Sequence, residues 1–206
     1  MIYKRMKGTI METIVQAKRV LEIFKEMSQI PRESGNEKGI SDYIVNFAKN
    51  LGLEAHQDEI LNVVIKKDAS PGYESRPSII IQGHIDMVCV KDHASNHDFS
   101  KDPIANIIEG EWMRADHTTL GADNGMGAAM MLAILEDESQ QHGPMQLLFT
   151  TNEETGMDGA FALKEGQVTG DYLINLDTEV EHDFTVSCAG GCHVHVNIPL
   201  LRDNNQ

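Results

Sequence analysis

The sequence has few cysteines and no long apolar segment, the features typical of proteins from oxidising compartments and of membrane proteins. It contains 3 cysteines, and none of them forms a CxxC pair. An odd count without such pairs argues against a disulfide framework and favours reduced thiols in a cytoplasm. No apolar run approaches the about 18 consecutive residues that a transmembrane helix needs. We therefore expect a cytoplasmic protein without disulfide bonds.

Basic residues are also scarce, and this scarcity bears on possible partners. Lysine and arginine together number 17 against 32 acidic residues, so the formal net charge is -15. Nucleic acid and anionic membrane surfaces would be repelled, and neither is expected as a partner. Hydrophobic residues make up 41% of the chain, which is the balance of an ordinary globular protein. Acidity alone does not indicate a metal site, because it also keeps a protein in solution.

Helical and extended patterns alternate along the chain. Helical spacing of apolar residues, or a Gly- and Ala-rich composition, predicts helices over residues 11–30, 37–51, 124–136 and 159–164. Apolar or β-type runs predict strands over residues 53–57, 62–66, 78–81, 145–150 and 171–176, with a further short strand around Trp112. This alternation predicts an α/β fold with a covered, largely parallel sheet.

Six residues with metal-binding or proton-carrying side chains follow the apolar strands or open the Gly-rich helix. In open α/β sheets, ligands bind at the carboxyl ends of the strands. We therefore expect these side chains to meet at one edge of the sheet. The candidates are His84, Asp86, Asp123, Glu153, Glu154 and Asp177.

His84 and Asp86 alternate along an extended segment, so their side chains share one face. A neutral imidazole suits zinc, and a nearby carboxylate can accept its other ring N–H and so fix the tautomer. We interpret His84 as a metal ligand and Asp86 as the carboxylate that orients it. Taken alone, the pair fits better a histidine at a strand end beside a solvated aspartate.

Asp123 and the Glu153-Glu154 pair supply the remaining carboxylates. Asp123 could cap the following helix, but the glycines beside it allow close backbone approach to a bound ion that it could bridge to a second ion. Adjacent glutamates repel unless a cation or proton lies between them. We assign Glu154 to the metal and Glu153 to acid–base work, with a solvated turn as the alternative. Asp177 can supply a further oxygen ligand.

The candidate ligands include nitrogen and carboxylate oxygen but no thiolate. Such a set favours zinc, with manganese or cobalt as possible substitutes. Two ions about 3.5–4 Å apart could polarise a carbonyl and activate water, which is the usual chemistry of metal-assisted amide hydrolysis.

Four motifs, in order along the chain, resemble a known family. They are GHIDMV, TTLGADNGMGAAMMLAILED, HGPMQLLFTTNEETGMDGA and LINLDTE. Together they are similar to the zinc-dependent aminoacyl-histidine (Xaa-His, carnosine-cleaving) dipeptidases, within the wider aminoacylase and carboxypeptidase group. GADNG followed by NEETGMDGA is a far more specific signal than a lone HxD or Glu-Glu pair. The resemblance implies a three-layer, zinc-peptidase-like catalytic domain with a mixed, largely parallel central sheet.

The resemblance also implies roles for individual residues. It places His84 and Asp177 on one zinc ion, Glu154 on a second, and Asp123 between the two. Glu153 would be the general base and Asp86 would lie behind His84. A non-proline cis peptide after Asp123 is implied as well. The implied substrate is a dipeptide, and complete members of the family form homodimers.

Members of this family are considerably longer than the present chain. Their catalytic domain is interrupted by a lid domain and then resumes to supply a last histidine ligand. We therefore expect an N-terminal extension over residues 1–10, the first part of the catalytic domain over 11–187, and the truncated start of the lid over 188–206. Two alternatives to a dipeptidase remain. The chain could be a catalytically inactive fragment that binds a metal or a partner, or it could belong to a sister hydrolase such as a deacylase or desuccinylase.

Overall fold

Seven strands and five helices are seen in a computed structural model that describes residues 17–178, 180, 183–187, 190–192 and 194–199. The strands are β1 (Glu54–Gln57), β2 (Val63–Lys67), β3 (Ile79–His84), β4 (Asn106–Glu109), β5 (Trp112–Ala115), β6 (Met145–Thr150) and β7 (Tyr172–Asn175). The helices are α1, described over residues 17–27, α2 (Lys38–Asn50), α3 (Ala122–Glu136), α4 (Glu153–Gly156) and α5 (Asp158–Phe161). The expected extension over residues 1–10 lies outside the described residues.

A five-stranded mixed sheet organises the fold, with the strand order β1-β2-β6-β3-β7. β3 runs parallel to both β6 and β7, whereas β2 is antiparallel to β1 and to β6. The antiparallel pairing of β1 with β2 follows from the short turn between them, because a tight connection can only return the chain antiparallel. β4 and β5 form a separate two-stranded hairpin. The expected α/β fold with a mixed sheet is confirmed.

The strands β2, β3 and β6 are covered on both faces. On one face, residues such as Ile65, Leu147 and Phe149 are fully buried against the helices α1, α2 and α3. On the other face, the alternate residues Val64, Ile80 and Leu148 form a smaller cluster with two partly buried side chains beyond α5, Leu163 and Val168. Strands that are buried on both faces have continuous apolar sequences, which is why they could be recognised.

Some elements differ from the sequence-based expectation. Instead of one helix over residues 159–164, the chain forms two single turns, α4 and α5, separated by Met157 at a φ of 60°. β4 was not expected, because it is half-exposed and carries no continuous apolar run. α1 ends at residue 27, where the Ser28 hydroxyl donates a hydrogen bond to the Phe24 carbonyl at 2.8 Å.

No helix in the described part of the chain is both long and apolar enough to cross a membrane. Cys89 and Cys192 are free thiols, and Cys188 lies outside the described residues. Burial raises the pKa of the Cys89 thiol to about 11, so this thiol stays protonated at neutral pH.

β7 exposes apolar surface at the edge of the sheet. Tyr172, Leu173 and Ile174 are 62%, 59% and 44% exposed. Within the described ranges, no strand pairs with the outer edge of β7. An open apolar edge offers unpaired backbone groups to any other extended chain.

We predict that the purified chain self-associates through β7. Leu173→Lys should reduce this association, because a charge on an edge strand opposes edge-to-edge pairing. Light scattering over a concentration series measures it. Ile108→Lys, on the separate β4–β5 hairpin, is the matched control, since Ile108 is similarly exposed at 56%. A wild-type chain that stays monomeric would contradict the prediction.

Candidate metal centre

The carboxyl ends of three parallel strands bring the candidate residues together. In the register of β3 with β6, His84 lies opposite Thr150, and in the register with β7, Gln82 lies opposite Asn175. The segments that follow the three strands therefore leave the sheet at the same edge. Glu153 and Glu154 follow β6 and form the first turn of α4, and Asp177 lies two residues beyond β7.

His84 lies at the centre of the cluster. Its side chain is 1% exposed. Nδ1 lies 3.2 Å from Oδ1 of Asp86, and Nε2 lies 3.1 Å from Oδ1 of Asp123. Nε2 also lies 3.9 Å from Oε2 of Glu153 and 3.8 Å from Oδ2 of Asp177. The Nδ1 side of the ring thus faces one buried carboxylate, and the Nε2 side faces a group of carboxylates.

Asp86 is completely buried and accepts four hydrogen bonds. The donors besides His84 are the Ser34 hydroxyl at 2.7 Å and the backbone N–H groups of Glu153 at 3.1 Å and Glu154 at 3.2 Å. Burial by itself raises the pKa of Asp86, but the bonds from His84, Ser34 and Glu153 hold this pKa below its ordinary value. Asp86 is therefore an anion that fixes both the imidazole and the start of α4.

The carboxylates on the exposed side of the imidazole repel one another. Burial, together with the charges of Asp123 and Glu153, raises the pKa of Glu154 and of Asp177. Burial lowers the pKa of His84, but the hydrogen bond and charge of Asp86 outweigh it and raise this pKa to about 9. Carboxylates that repel one another around one imidazole are stabilised by a cation.

Among the residues that the structure describes, two groups of side chains offer ligand atoms within 4.8 Å of one another, and both contain His84. The first group adds Asp123 and Glu154, and the second adds Glu153 and Asp177. The donor atoms are one imidazole nitrogen and carboxylate oxygens, a set that suits zinc and similar divalent ions. The identity of the donor atoms and the distances between them therefore fit a divalent metal ion. The six predicted residues thus come together, while the role of each one remains a prediction.

The start of α3 is shaped by the Asp123–Asn124 peptide, which is cis as the resemblance implied. The Asn124 side chain is buried, and its Nδ2 donates to the Leu176 carbonyl at 2.9 Å. A Cβ atom at Gly83 or Gly127 would lie within 2.4 Å or 2.6 Å of Asn124 Oδ1. These two glycines therefore make room for the amide that joins α3 to the segment carrying Asp177.

Sequence reasoning missed the residues that support the centre from the segment between α1 and α2. Arg32 contacts the loops that carry Asp86 and Asp123, and Ser34 donates to Asp86. The buried Glu37 accepts a hydrogen bond from the backbone of Asn152 at 3.0 Å. The residues that Arg32, Ser34 and Glu37 contact lie at least 52 positions away along the chain. No local sequence pattern therefore predicts these contacts.

Comparisons with known proteins agree with this geometry. A family model described as Peptidase family M20/M25/M40 matches residues 80–199. The cytosol non-specific dipeptidase of Escherichia coli (strain K12) is 44% identical over 182 residues, which cover 88% of this chain and 38% of that protein. The chain thus spans well under half the length of this relative.

Solved structures of peptidases are also similar to this chain. The structure of an aminoacylhistidine dipeptidase from Vibrio alginolyticus superposes with a TM-score of 0.77 at 44% identity, covering 79% of this chain and 33% of that chain. A tripeptidase from Staphylococcus aureus superposes with a TM-score of 0.67 at 26% identity, covering 79% and 44% of the two chains. The expected resemblance to aminoacyl-histidine dipeptidases is confirmed.

We predict that His84→Ala lowers the zinc content of the chain, because the substitution removes the one imidazole that both ligand groups share. Elemental analysis of gel-filtered protein measures zinc per chain. His117→Ala is the matched control: His117 also lies beside an aspartate, 2.6 Å from Asp92, but on the exposed surface outside both groups. Equal zinc content in His84→Ala and wild type would remove His84 from the ligands.

Proposed function

The chain belongs to peptidase family M20/M25/M40, and we propose that its site serves the metal-dependent hydrolysis of dipeptides with a glutamate as general base. The observation that carries this proposal is the buried His84 imidazole, whose Nε2 faces the carboxylates of Asp123, Glu153 and Asp177. Relatives named as dipeptidases support the substrate class. The name of the Vibrio relative favours Xaa-His dipeptides such as carnosine.

We propose that the resident metal is zinc, with two ions in the complete site. His84 and Asp177 would hold one ion, Glu154 would hold the other, and Asp123 would lie between them. Zinc, when bound, polarises a scissile carbonyl and makes water more acidic. The mixed nitrogen and oxygen donor set supports zinc and leaves manganese and cobalt as substitutes.

Asp86 orients His84 towards the proposed metal. If its Oδ1 accepts the proton on Nδ1, a bound cation would take the place of the proton on Nε2, the nitrogen that faces the carboxylate group. The same carboxylate binds the N–H groups of Glu153 and Glu154. One buried anion thereby sets the orientation of the imidazole and of both glutamates.

Glu153 is suited to move a proton. Its carboxylate is 34% exposed, so water and substrate can reach it, and its backbone is anchored on Asp86. In the proposed reaction, a Glu153 carboxylate oxygen takes a proton from the attacking water and later delivers it to the leaving amine. Efficient transfer requires this oxygen within hydrogen-bonding reach of the water, and the anchored turn of α4 limits its position.

The free thiols and the name of the Escherichia coli relative, a cytosol dipeptidase, support a cytoplasmic location for this activity.

The proposal is tested by measuring zinc per chain and carnosine hydrolysis on the same gel-filtration fractions, with a dipeptide lacking histidine as a second substrate. Close to two zinc ions with turnover would support dipeptide hydrolysis by this polypeptide. One ion or none, without turnover, would contradict it for this chain. Hydrolysis of both dipeptides at similar rates would contradict the preference for Xaa-His substrates.

We predict that Glu153→Gln keeps its zinc but loses most of its turnover. The amide has almost the same shape as the carboxylate and cannot accept the proton, and general-base catalysis contributes about 10²–10⁴-fold to a rate. Glu154→Gln is the matched variant on the adjacent residue, and it should lose zinc. Wild-type turnover in Glu153→Gln would contradict its assignment as the base.

A further inference from the structure

Arg32 is a buried cation directly behind the proposed metal centre. The side chain is 2% exposed, and it follows α1 in the connection to α2. Its Nη1 donates to the carbonyl oxygens of Ile85 at 3.2 Å and Asp86 at 3.1 Å, and its Nη2 donates to the carbonyl of Gly121. One guanidinium therefore joins the loop after β3 to the loop before α3.

The main chain of Arg32 strengthens the same connection. Its carbonyl accepts a hydrogen bond from the N–H of Met87 at 3.1 Å. The neighbouring Glu33 also forms an isolated parallel bridge with Met87. The loop after β3 is thus held by both the backbone and the side chain, whereas the loop before α3 is held by Nη2.

The space around the guanidinium is fitted to its shape. A Cβ atom at Gly121 would lie 2.4 Å from Nη2, and one at Gly125 would lie 2.6 Å from it. Both glycines belong to the segment that carries Asp123. The planar fork of arginine can reach several carbonyls at once in such a slot, which the single ammonium of lysine cannot do with the same geometry.

Stability alone gives little reason to bury a charge of this kind. Taking a cation out of water is costly, and well-packed apolar residues often replace buried charges without loss of stability. Burial lowers the pKa of Arg32 to about 10, so the side chain remains protonated at neutral pH. Its Nε has no hydrogen-bond partner among the described residues, which adds to the cost.

We propose that Arg32 is a positioning residue that sets the distance between the His84–Asp86 loop and the Asp123 loop, so that His84 and Asp123 reach the same cation. The inference rests on the proposed metal site. It explains why a guanidinium is buried between two loops whose side chains meet at 3.1 Å, from His84 Nε2 to Asp123 Oδ1.

The test compares the Co²⁺ affinity of the wild-type chain with that of Arg32→Met and Arg32→Lys, by chelator competition and the visible spectrum of the bound ion. Loss of an outer partner of metal ligands typically lowers affinity about 10–100-fold. We expect such a loss in both variants, together with an altered cobalt spectrum. Arg19→Met is the matched control, because Arg19 pairs with Glu136 and Glu26 and touches neither loop.

The outcomes separate positioning from simple stabilisation. Unchanged affinity and spectrum in folded Arg32→Met, even with a lower melting temperature, would overturn the inference. Full recovery in Arg32→Lys would overturn it as well, because charge alone would then suffice. If Arg32→Met does not fold, the Co²⁺ affinity and spectrum of Arg32→Lys are compared with those of the wild-type chain instead.

A wild-type chain that binds no Co²⁺ would contradict the proposed function, and the inference is then decided by hydrogen exchange of the metal-free chain. Faster exchange at residues 85–88 and 119–122 together in the Arg32 variants, but not in Arg19→Met, would support it. Unchanged exchange in either loop would overturn it.

Discussion

The buried carboxylate of Asp86 is the contact on which the rest of the site depends. Its two oxygens accept hydrogen bonds from the His84 ring, the Ser34 hydroxyl and two backbone N–H groups at the start of α4. An anion in this position would be unstable without those donors. The donors come from three separate parts of the chain, so the charge of one residue holds the end of β3, the turn after β6 and the connection between α1 and α2 in one arrangement.

The sheet supplies the scaffold for this arrangement, and polar contacts adjust it. Parallel pairing of β3 with β6 and β7 delivers the ends of the three strands to one edge. Pairing alone leaves the following loops free to turn in several directions. The loops are fixed by side chains that bind backbone groups, namely Arg32 on Gly121, Glu37 on Asn152 and Asn124 on Leu176.

The sequence predicted which side chains meet at the site but not the residues that support them, for a physical reason. Candidates such as His84 and Glu153 lie at or just after the ends of β3 and β6, which are buried on both faces, and such strands have a local signature that places their ends. Arg32 and Glu37 lie between two helices, and their contacts are with residues far along the chain. The helix expected over residues 159–164 is replaced by the turns α4 and α5, because the chain adopts positive φ at Asn152 and Met157, and a methionine gives no local signal for such a conformation.

The centre is asymmetric, and this asymmetry decides from where it can be reached. His84 is 1% exposed and closed off on its Nδ1 side by Asp86, whereas Asp123 on its Nε2 side is 54% exposed. Buried polar contacts are strong where water is excluded, and exposed carboxylates remain available to ligands from solution. The rigid half of the site therefore holds the imidazole in place. The open half presents Asp123, Glu153 and Asp177, so the site is accessible from solution on the carboxylate side.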